Sequence, residues 1–445
     1  MVGLGLSGYW GARLVLERKS PCSLTVCEGA PSPEKERRAE ELKRLAEEKG
    51  SSFQVAWQME PRGVGGYQRV VISPGVPHDL PWLNEARERG IEVMGEMELA
   101  FREVETPIIA VTGTNGKTTT TALIAHILNA NGITAWTGGN IGDPLSHFAV
   151  EGRRAEWIVL EVSSFQLETV KTFHPKVAMI LNLAEDHLDR YPSMSQYAGA
   201  KANILNNLGS DDLVVANADD PAVMEMVQKA KARLATFGAA KGVPTPTIAL
   251  GEEKVLLEGE ELCHLEGLDL QARLNMPNIM AAILATGFVG VEPRRALEAA
   301  RGFQWQPHRT QVILNARGVT FVDDSKATNP SAVKHALSLL EGPMLLLLGG
   351  RNKGFRFNSL RPLIRERVRR VLLFGEAAGE IAQDLEGCEA GISRHDTMEE
   401  AVKCAVEEAR PGDTVLLSPG CASFDQFKSY AHRGEVFRKL VRRLA

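Results

Sequence analysis

One uninterrupted run, residues 108–119 with the sequence IIAVTGTNGKTT, most constrains what this chain can fold into. Its apolar start predicts a buried strand, Gly113 and Gly116 predict a tight turn, and the following residues predict the start of a helix. Backbone N–H groups in such a turn converge on an anion, and the helix N-terminus adds partial positive charge. Lys117 can reach outer phosphates and the Thr118 hydroxyl can ligate magnesium. The run therefore predicts a nucleoside triphosphate site.

The strict P-loop signature has a further glycine five positions before the Gly-Lys pair, where this chain has Val111. This departure argues against a generic motor ATPase. Apolar residues recur at helical spacing over 123–128, and the Asn-Gly pair at 131–132 ends the pattern. The sequence thus supplies the helix that the phosphate cradle needs.

The chain has 445 residues, enough for about three domains of roughly 150 residues each. Its net charge of -5 gives no global basic field, so no nucleic acid partner is expected. The six cysteines form no CxxC pair and no zinc spacing, which indicates unpaired thiols in a reducing cytoplasm. Because there is no membrane-length apolar run and no secretion signal, we expect a cytoplasmic protein without membrane insertion.

The first predicted domain, residues 1–104, opens with the glycine pattern GLGLSG at positions 3–8. This pattern is typical of dinucleotide binding, with an acidic residue about twenty positions later at the ribose, and Glu28 lies near that place. Only residues 1–2 remain for the first strand, so either that strand is short or the natural start lies earlier. Further elements are expected as strands at 24–27 and 70–72, a solvated helix at 34–49 and a rigid turn at 73–77.

The second predicted domain, residues 105–292, carries the cradle and then strands at 157–162, 177–182 and 213–217. Polar residues cluster where the first two of these strands end. In a doubly wound parallel sheet that edge binds ligands, so it is the expected active-site edge. The polar residues are Glu161, Ser163, Ser164 and Gln166, then Asn182, Glu185, Asp186 and His187. Short alternating segments between 245 and 270 predict a small antiparallel excursion.

The third predicted domain, residues 293–445, reads as another parallel α/β domain. Its strands are expected at 320–323, 344–348, 371–374 and 414–417, separated by helical stretches. The predicted fold class is thus α/β with three domains. A Rossmann-like N-terminal domain precedes a central mononucleotide-binding parallel sheet of P-loop type, and a Rossmann-like C-terminal domain follows.

Seven motifs occur in order along the chain. They are GTNGKT at 113–118, GNIG at 139–142, EVSSFQLE at 161–168, NLAEDHLDRY at 182–191, PHR at 307–309, DDSKATNP at 323–330 and SPGCASFDQFK at 418–428. Together they closely resemble the Mur ligases of peptidoglycan synthesis, and within that family the D-glutamate-adding enzymes. The resemblance spans essentially the whole chain.

This resemblance implies an ATP-dependent ligase whose substrates are UDP-N-acetylmuramoyl-L-alanine and D-glutamate. The alanyl carboxylate would take the γ-phosphoryl group, and the D-glutamate amine would attack the acyl phosphate, leaving ADP and phosphate. Charge neutralisation between the two anions would come from the cradle, Lys117 and magnesium. We expect two magnesium ions and a monomer. Closure of the third domain would exclude water from the acyl phosphate.

The resemblance also assigns residues on the ATP side of the site. Lys117, His187 and Lys201 would be catalytic. Lys201 matches a family lysine that carbon dioxide converts to a carbamate, which can hold a second magnesium. The metal ligands would be Thr118, Glu161, His187 and carbamylated Lys201. The ATP contacts would be Gly113, Thr114, Asn115, Gly116, Lys117, Thr118, Thr119, Asn275, Arg309 and Asp324. Leu274 replaces a histidine that the family often has there.

Two further sets follow from the resemblance. The UDP-sugar would contact Leu6, Ser7, Ser73, Pro74, Gly75 and Asn140. D-glutamate would contact Thr328, Lys353, Ser423 and Tyr430, since a lysine and hydroxyl donors are what two carboxylates require. The pair at 29–30 is Gly-Ala where the family can have Thr-Arg, so contacts with uracil or phosphate there are not carried over.

Three alternatives remain open at the level of sequence. A sister ligase would add another amino acid, or would add glutamate to folate. A nicotinamide-dependent oxidoreductase would explain residues 3–8 but not the second glycine turn at 113–116. A non-catalytic nucleotide-binding regulator would bind ATP without turning it over.

Overall fold

The computed structural model describes residues 1–58, 66–187, 190–241, 245–268, 270–340 and 342–445. Two positions of the motif at 182–191, Leu188 and Asp189, therefore lie outside the described residues. The chain divides into two compact units. Unit 1 is Met1–Leu183, His187–His264 and Pro277–Gly302, and unit 2 is Ala184–Asp186, Leu265–Met276 and Phe303–Ala445. The domain limits predicted at 104/105 and 292/293 stay predictions.

Unit 1 begins with short parallel strands. They are β1 (Ser23–Glu28), β2 (Ser52–Trp57), β3 (Arg69–Ile72) and β4 (Glu92–Gly95). β1 pairs with β2 and β3 pairs with β4, and Val2 joins the two pairs through parallel bridges to Cys27 and Ile72. Val2 therefore occupies the position between the two pairs that the first strand of the Rossmann-like pattern would take.

The helices of this region are α1 (Leu6–Arg18), α2 (Pro33–Glu48), α3 (Pro81–Glu88) and α4 (Glu96–Phe101). The solvated helix predicted at 34–49 is α2, which buries only Leu42 and Ala46. Its Ser32 side chain accepts a hydrogen bond from the Lys35 N–H and so caps the helix. That prediction is confirmed.

Among the described residues, nine strands form the large sheet of unit 1 in the order β13-β12-β11-β10-β9-β8-β5-β7-β6. They are β5 (Ile108–Thr112), β6 (Ala135–Gly139), β7 (Trp157–Glu161), β8 (Val177–Ile180), β9 (Leu213–Asn217), β10 (Arg233–Ala239), β11 (Ile248–Leu250), β12 (Lys254–Leu257) and β13 (Glu260–His264). Pairing is parallel from β6 to β11 and antiparallel from β11 to β13, which confirms the small antiparallel excursion.

Helices follow most of these strands. They are α5 (Lys117–Ala130), α6 (Leu145–Glu151), α7 (Ser164–Leu167), α8 (Met194–Ala202) and α9 (Pro221–Val227), then α10 (Leu270–Leu274) of unit 2, α11 (Met276–Val289) and α12 (Pro293–Arg301). β5 lies between β7 and β8, and its five residues are all buried. The loops after these three parallel strands therefore meet at one sheet edge.

In unit 2, six described strands form a sheet in the order β14-β15-β19-β16-β17-β18. They are β14 (Gln311–Ala316), β15 (Val319–Asp323), β16 (Met344–Gly349), β17 (Val368–Phe374), β18 (Gly391–His395) and β19 (Thr414–Gly420). Helices α13 (Pro330–Leu339), α14 (Arg361–Arg367), α15 (Ala378–Asp384), α16 (Met398–Glu408) and α17 (Tyr430–Leu444) complete the unit. Separate apolar clusters pack on the two faces of the sheet.

The parallel α/β architecture predicted for this region is confirmed for five of its strands, but β14 runs antiparallel to β15. Arg317 and Gly318 connect them, with φ angles of 52° and 77°. Two consecutive positive φ angles are what a two-residue hairpin turn of type I′ requires. The local turn therefore reverses the chain where the sequence analysis expected only parallel strands.

All six cysteines have free thiols, as their spacing predicts. Within the described ranges, no helix has both the length and the apolar character needed to cross a membrane.

Candidate active site

The loop between β5 and α5 has the backbone geometry of an anion cradle. Gly113 has φ +144° and Gly116 has φ +83°, a region that residues with a Cβ rarely adopt. Gly116 is also the N-cap of α5, so the chain passes directly from the turn into a helix of 14 residues. The first N–H groups of a helix have no partner within it and can bind an anion. The local structure predicted from residues 108–119 is present.

Asn182, which follows β8, holds the cradle from the neighbouring strand. Its carbonyl oxygen accepts from the Thr114 N–H at 3.0 Å. Its side-chain amide accepts from the Asn115 N–H at 2.8 Å and donates to the Asn115 carbonyl oxygen at 3.1 Å. The sequence predicts Asn182 at this sheet edge but does not reveal this contact.

Two lysine side chains meet at one carbonyl oxygen of the cradle. Lys117 Nζ donates to the Gly113 oxygen at 2.8 Å and to the Thr114 oxygen at 2.9 Å. Lys201 Nζ donates to the same Gly113 oxygen at 3.0 Å, although its side chain is only 1% exposed. Two ammonium groups this close repel each other, and burial also disfavours a charged amine.

Glu161 ends β7 beside the cradle and is buried, with 2% of its surface exposed. Its Oε1 accepts from Asn140 Nδ2 at 2.8 Å, whereas its Oε2 has no hydrogen-bond partner among the residues the structure describes. A buried carboxylate oxygen without a partner is costly, and a hard divalent cation would satisfy it. Thr118 is half-buried in the first turn of α5. These oxygen donors fit magnesium.

Apart from the undescribed stretches, no three His, Cys, Asp or Glu side chains are grouped as a metal site. Such a grouping is not required for magnesium at a nucleotide, because this ion usually takes one or two carboxylates and completes its shell with phosphate and water oxygens.

His187 belongs to an aromatic cluster near Lys201. Its ring centroid lies 4.7 Å from that of Phe165 and 6.3 Å from that of Tyr197. The Tyr197 ring in turn lies 4.7 Å from Lys201 Nζ, and its hydroxyl is 3.3 Å from Thr114 Oγ1. Tyr197 therefore links His187, Lys201 and the cradle.

Glu168 has a buried carboxylate and is not among the site residues that the sequence predicts. It accepts hydrogen bonds from the Tyr191 hydroxyl at 2.6 Å and from Arg190, and it pairs with His78 Nδ1 at 3.0 Å. Burial, together with the hydrogen bond to Glu168, raises the pKa of the Tyr191 hydroxyl. Because Tyr191 stacks on Phe165, this network fixes the ring that His187 contacts. Its sequence signal was the final glutamate of the motif at 161–168.

The glycine turn at residues 3–8 packs against Ser73. A Cβ added to Gly3 would lie 2.6 Å from Ser73 Oγ, and this hydroxyl lacks a hydrogen-bond partner within the described ranges. Leu6 and Ser7 open α1, and Leu6 is 41% exposed. The structure thus brings two of the predicted UDP-sugar segments together at the N-terminus of a helix, a place suited to a phosphate.

The Glu28 side chain binds backbone N–H groups in and near this glycine turn. Its carboxylate accepts from the Leu4 N–H at 2.5 Å and the Gly29 N–H at 2.7 Å, and it pairs with Lys35 at 3.0 Å. Partial burial alone would raise the pKa of the Glu28 carboxyl, but these hydrogen bonds outweigh it and lower the pKa. The ribose contact of the dinucleotide interpretation would therefore compete with three existing contacts.

In unit 2, a chain of contacts connects the residues predicted to bind ATP. Asn275 Nδ2 donates to the Gln271 carbonyl oxygen at 3.0 Å, and Gln271 Nε2 donates to the Thr310 carbonyl oxygen at 3.2 Å. The N–H of Thr310, which follows Arg309, donates to Asp324 Oδ1 at 3.0 Å. Asp324 also accepts from Ser418 Oγ at 2.7 Å, and burial raises the pKa of its carboxyl to about 7.

The four residues predicted to bind D-glutamate lie on loops at the carboxyl ends of β15, β16 and β19 and at the start of α17. We call residues 325–328, 350–353 and 421–423 the acceptor loops. The Arg351 N–H donates to the Ala422 oxygen at 2.8 Å, and the Ala422 N–H donates to the Arg351 oxygen at 3.0 Å. Ser423 is buried, whereas Lys353 is exposed. Thr328 is half-buried, and Lys326 Nζ lies 3.7 Å from the Tyr430 ring centroid.

Comparison with known proteins shows which family has these domains. Residues 111–286 match the Mur ligase middle domain, and residues 308–421 match the glutamate ligase domain of Mur ligases. The computed structure is similar to that of a MurF ligase from Thermotoga maritima in complex with ADP, with a TM-score of 0.62 and 18% identity, covering 100% of this chain and 98% of that one. It is also similar to a pseudomurein peptide ligase type C from Methanothermus fervidus, with a TM-score of 0.61, 16% identity, and 100% and 99% coverage.

The relatives found by sequence similarity carry a more specific name than the family models. A UDP-N-acetylmuramoylalanine--D-glutamate ligase of Desulfosudis oleivorans is 41% identical, over 100% of this chain and 96% of that relative. One from Trichlorobacter lovleyi is 42% identical, over 84% of each chain. The chain therefore belongs to the Mur ligase family, the ATP-dependent ligases of peptidoglycan precursor synthesis, and within it to the group of UDP-N-acetylmuramoylalanine--D-glutamate ligases.

Proposed function

We propose that this chain joins D-glutamate to UDP-N-acetylmuramoyl-L-alanine and converts ATP to ADP and phosphate. The observation that carries the proposal is the cradle between β5 and α5, in a chain that is 41% identical over its whole length to a ligase with that name. The cradle supplies the phosphate site that the first step needs, and the acceptor loops supply a separate site for an amino acid.

In the first step, an alanyl carboxylate oxygen attacks the γ-phosphorus of ATP, and the bond to the ADP oxygen breaks. Two anions approach each other in this step, so catalysis depends on positive charge and fixed N–H donors. The N–H groups of 113–119 hold the phosphates. The Lys117 ammonium exchanges its carbonyl acceptors, Gly113 and Thr114, for γ-phosphate oxygens. Asn275, Arg309 and Asp324 are the other residues proposed to contact ATP.

Magnesium fits the donor set of unit 1, with Thr118, Glu161 and His187 as its ligands. When bound, the ion neutralises charge on the transferred phosphoryl group. Glu161 Oε2 supports this assignment, since it has no hydrogen-bond partner among the described residues and the ion would give it one.

Lys201 is the residue proposed to carry a carbamate. Its neutral amine adds to carbon dioxide, forming an N–C bond and releasing one proton, and the product is an anion that could hold a second magnesium. Burial of Lys201 supports the proposal, because it disfavours the charged form of an amine and so favours the neutral amine that must react.

In the second step, the D-glutamate amine, having lost its proton, attacks the acyl carbon and phosphate leaves. Thr328, Lys353, Ser423 and Tyr430 hold the D-glutamate carboxylates. The UDP-sugar is held by Leu6, Ser7, Ser73, Pro74 and Gly75, with Asn140 near its muramoyl-alanyl part. Asn140 Nδ2 already donates to Glu161, so this contact would tie the substrate to the proposed metal ligand.

An assay of ADP formation tests the proposal. Purified chain is given ATP, magnesium and UDP-N-acetylmuramoyl-L-alanine, with D-glutamate, L-glutamate or diaminopimelate as acceptor. We expect turnover with D-glutamate alone and loss of turnover with a chelator. Turnover that required L-glutamate and a folate would contradict the substrate assignment, and tight nicotinamide binding without ATP turnover would favour an oxidoreductase. ATP binding without turnover of any substrate set would indicate a regulator.

A further inference from the structure

Arg433 is a fully buried arginine on α17, and its hydrogen bonds to described residues all go to neutral oxygens. Nε donates to Ser325 Oγ at 2.9 Å, Nη2 to the Ser325 carbonyl oxygen at 2.8 Å, and Nη1 to the Cys421 carbonyl oxygen at 3.1 Å. In the part of the chain that the structure describes, no carboxylate lies within ion-pair distance of it. Burial lowers the pKa of Arg433 to about 10, so it stays charged at neutral pH.

Buried arginines are uncommon, and a buried charge is costly unless its hydrogen bonds are satisfied. The position of the acceptors shows what this one connects. Ser325 begins the acceptor loop after β15, and Cys421 begins the one after β19. A Cβ added to Gly350, in the loop after β16, would lie 3.2 Å from Arg433 Nη1 and 2.3 Å from the Ala422 oxygen. The guanidinium therefore lies where all three acceptor loops meet.

Ser325 extends this junction to the start of α17. Its Oγ accepts from Arg433 Nε and donates to the Tyr430 carbonyl oxygen at 2.8 Å. Thr328, Lys353, Ser423 and Tyr430 thus each lie within a few residues of a direct contact of this junction. They come from three segments of unit 2 that are distant in sequence, with Ser423 and Tyr430 in the same segment.

We propose that Arg433 is a positioning residue for the amino-acid acceptor, because its guanidinium fixes the mutual position of the three acceptor loops. The proposal rests on the proposed function, since D-glutamate binding by these loops is part of it. A planar guanidinium has five donors in a rigid fork, so it can bind both Ser325 and Cys421 at once. A lysine keeps the charge but has a single nitrogen, which cannot span both loops. The variant Arg433→Lys therefore separates geometry from charge.

The test measures steady-state kinetics of the full chain with each substrate varied in turn. For Arg433→Lys we expect kcat/KM for D-glutamate to fall about 10- to 100-fold, because a displacement near 1 Å at a reacting site has effects of this order. KM for ATP and for UDP-N-acetylmuramoyl-L-alanine should change by less than about twofold if the first step is unaffected. A matched control is Arg369→Lys, another arginine of unit 2. Arg369 donates to the Glu408 backbone carbonyl oxygen and to the Asp413 carboxylate, near the amino ends of the strands and so at the opposite edge of the sheet from the acceptor loops.

Ser325→Ala is measured alongside, since it removes the shared hydroxyl while leaving the arginine in place. Like Arg433→Lys, it should raise KM for D-glutamate. In the double variant the two effects should not add, because the two residues act in one network. An unchanged D-glutamate KM in both variants, or equal losses for all three substrates in Arg433→Lys and in the control, would overturn the proposal. A wild-type chain that does not use D-glutamate would contradict the proposed function instead.

Discussion

The cradle of unit 1 and the acceptor loops of unit 2 both suit anions, but they are built differently. The cradle consists of backbone groups within the short run 113–118, shaped by two positive-φ glycines. The acceptor loops come from three distant segments and depend on one buried guanidinium, Arg433, for their junction. A site formed by consecutive backbone can be read from local sequence, whereas a site assembled from distant loops depends on contacts that local sequence does not reveal.

The largest expected effect tests the cradle side of this comparison. Lys117→Met removes the only side-chain cation of the segment 113–118, so we expect kcat to fall about 10²- to 10³-fold, the usual loss when one preorganised charge donor is removed. ADP formation with saturating substrates measures it. Lys241→Met is the matched control, because that lysine is 86% exposed and pairs with surface Glu252. Equal activity in both variants would show that the cradle does not act on phosphate through Lys117.

The next largest effect is expected for Lys201, whose side chain is buried beside the cradle. Lys201→Ala should reduce kcat about 10- to 100-fold if a metal ligand is lost. Short carboxylates such as acetate should restore part of the activity, because they can replace the carbamate oxygens. Native mass spectrometry in carbon dioxide-saturated buffer should show the added mass on the wild-type chain. No added mass, combined with full activity of Lys201→Ala without bicarbonate, would rule out the carbamate.

The difference between the regions also explains what sequence could predict. The strand, turn and helix at 108–130 follow from local patterns, and so do α2 and the strands whose ends form the ligand edge. The motif at 161–168 drew attention to Glu161, but the role of Glu168 depends on Tyr191 and His78, which are distant in sequence. Nothing local marks Arg433, because the Ser325 that it binds lies 108 positions away. The resemblance to a family supplied the acceptor residues, and the structure supplied what connects them.

The β14–β15 hairpin differs from the predicted architecture for another reason. Its turn signal was present, since a glycine at position 318 follows Arg317 between two segments with strand character. The sequence pattern predicts β15 in a unit of parallel strands, whereas the structure adds a short antiparallel edge strand, β14. A local signal can therefore be missed when the architecture of the surrounding domain is assumed first.

A pair of glycine variants tests the same comparison. Their effects on activity should be smaller than those of Lys117→Met and Lys201→Ala. Gly116→Ala places a Cβ 2.8 Å from Asn278 Oδ1 at φ +83°, and Gly350→Ala places one 2.3 Å from the Ala422 oxygen at φ +125°. Each change should strain its loop by about 1–2 kcal/mol or somewhat more. We expect Gly116→Ala to raise KM for ATP and Gly350→Ala to raise KM for D-glutamate. If each variant raised both constants equally, the two regions would not be independent sites.

The last expected effect is on stability rather than on activity, and it contrasts a titrating contact in unit 2 with the non-titrating backbone of the cradle. Burial raises the pKa of Asp324 to about 7, from a usual value of 3.8. Between these two values the folded state keeps a proton that the unfolded state has lost, so the contribution of Asp324 to stability is greatest below about pH 4 and falls as pH rises to about 7. Asp324→Asn should remove this fall, because asparagine does not titrate. Urea unfolding of both chains at several pH values from 4 to 8 measures the difference in slope, with Glu399→Gln as a surface control in the same unit. If Asp324→Asn and wild type lost stability in parallel over this range, the buried carboxyl would be ionised in the folded chain, and its contacts with Ser418 and Thr310 would be those of a carboxylate.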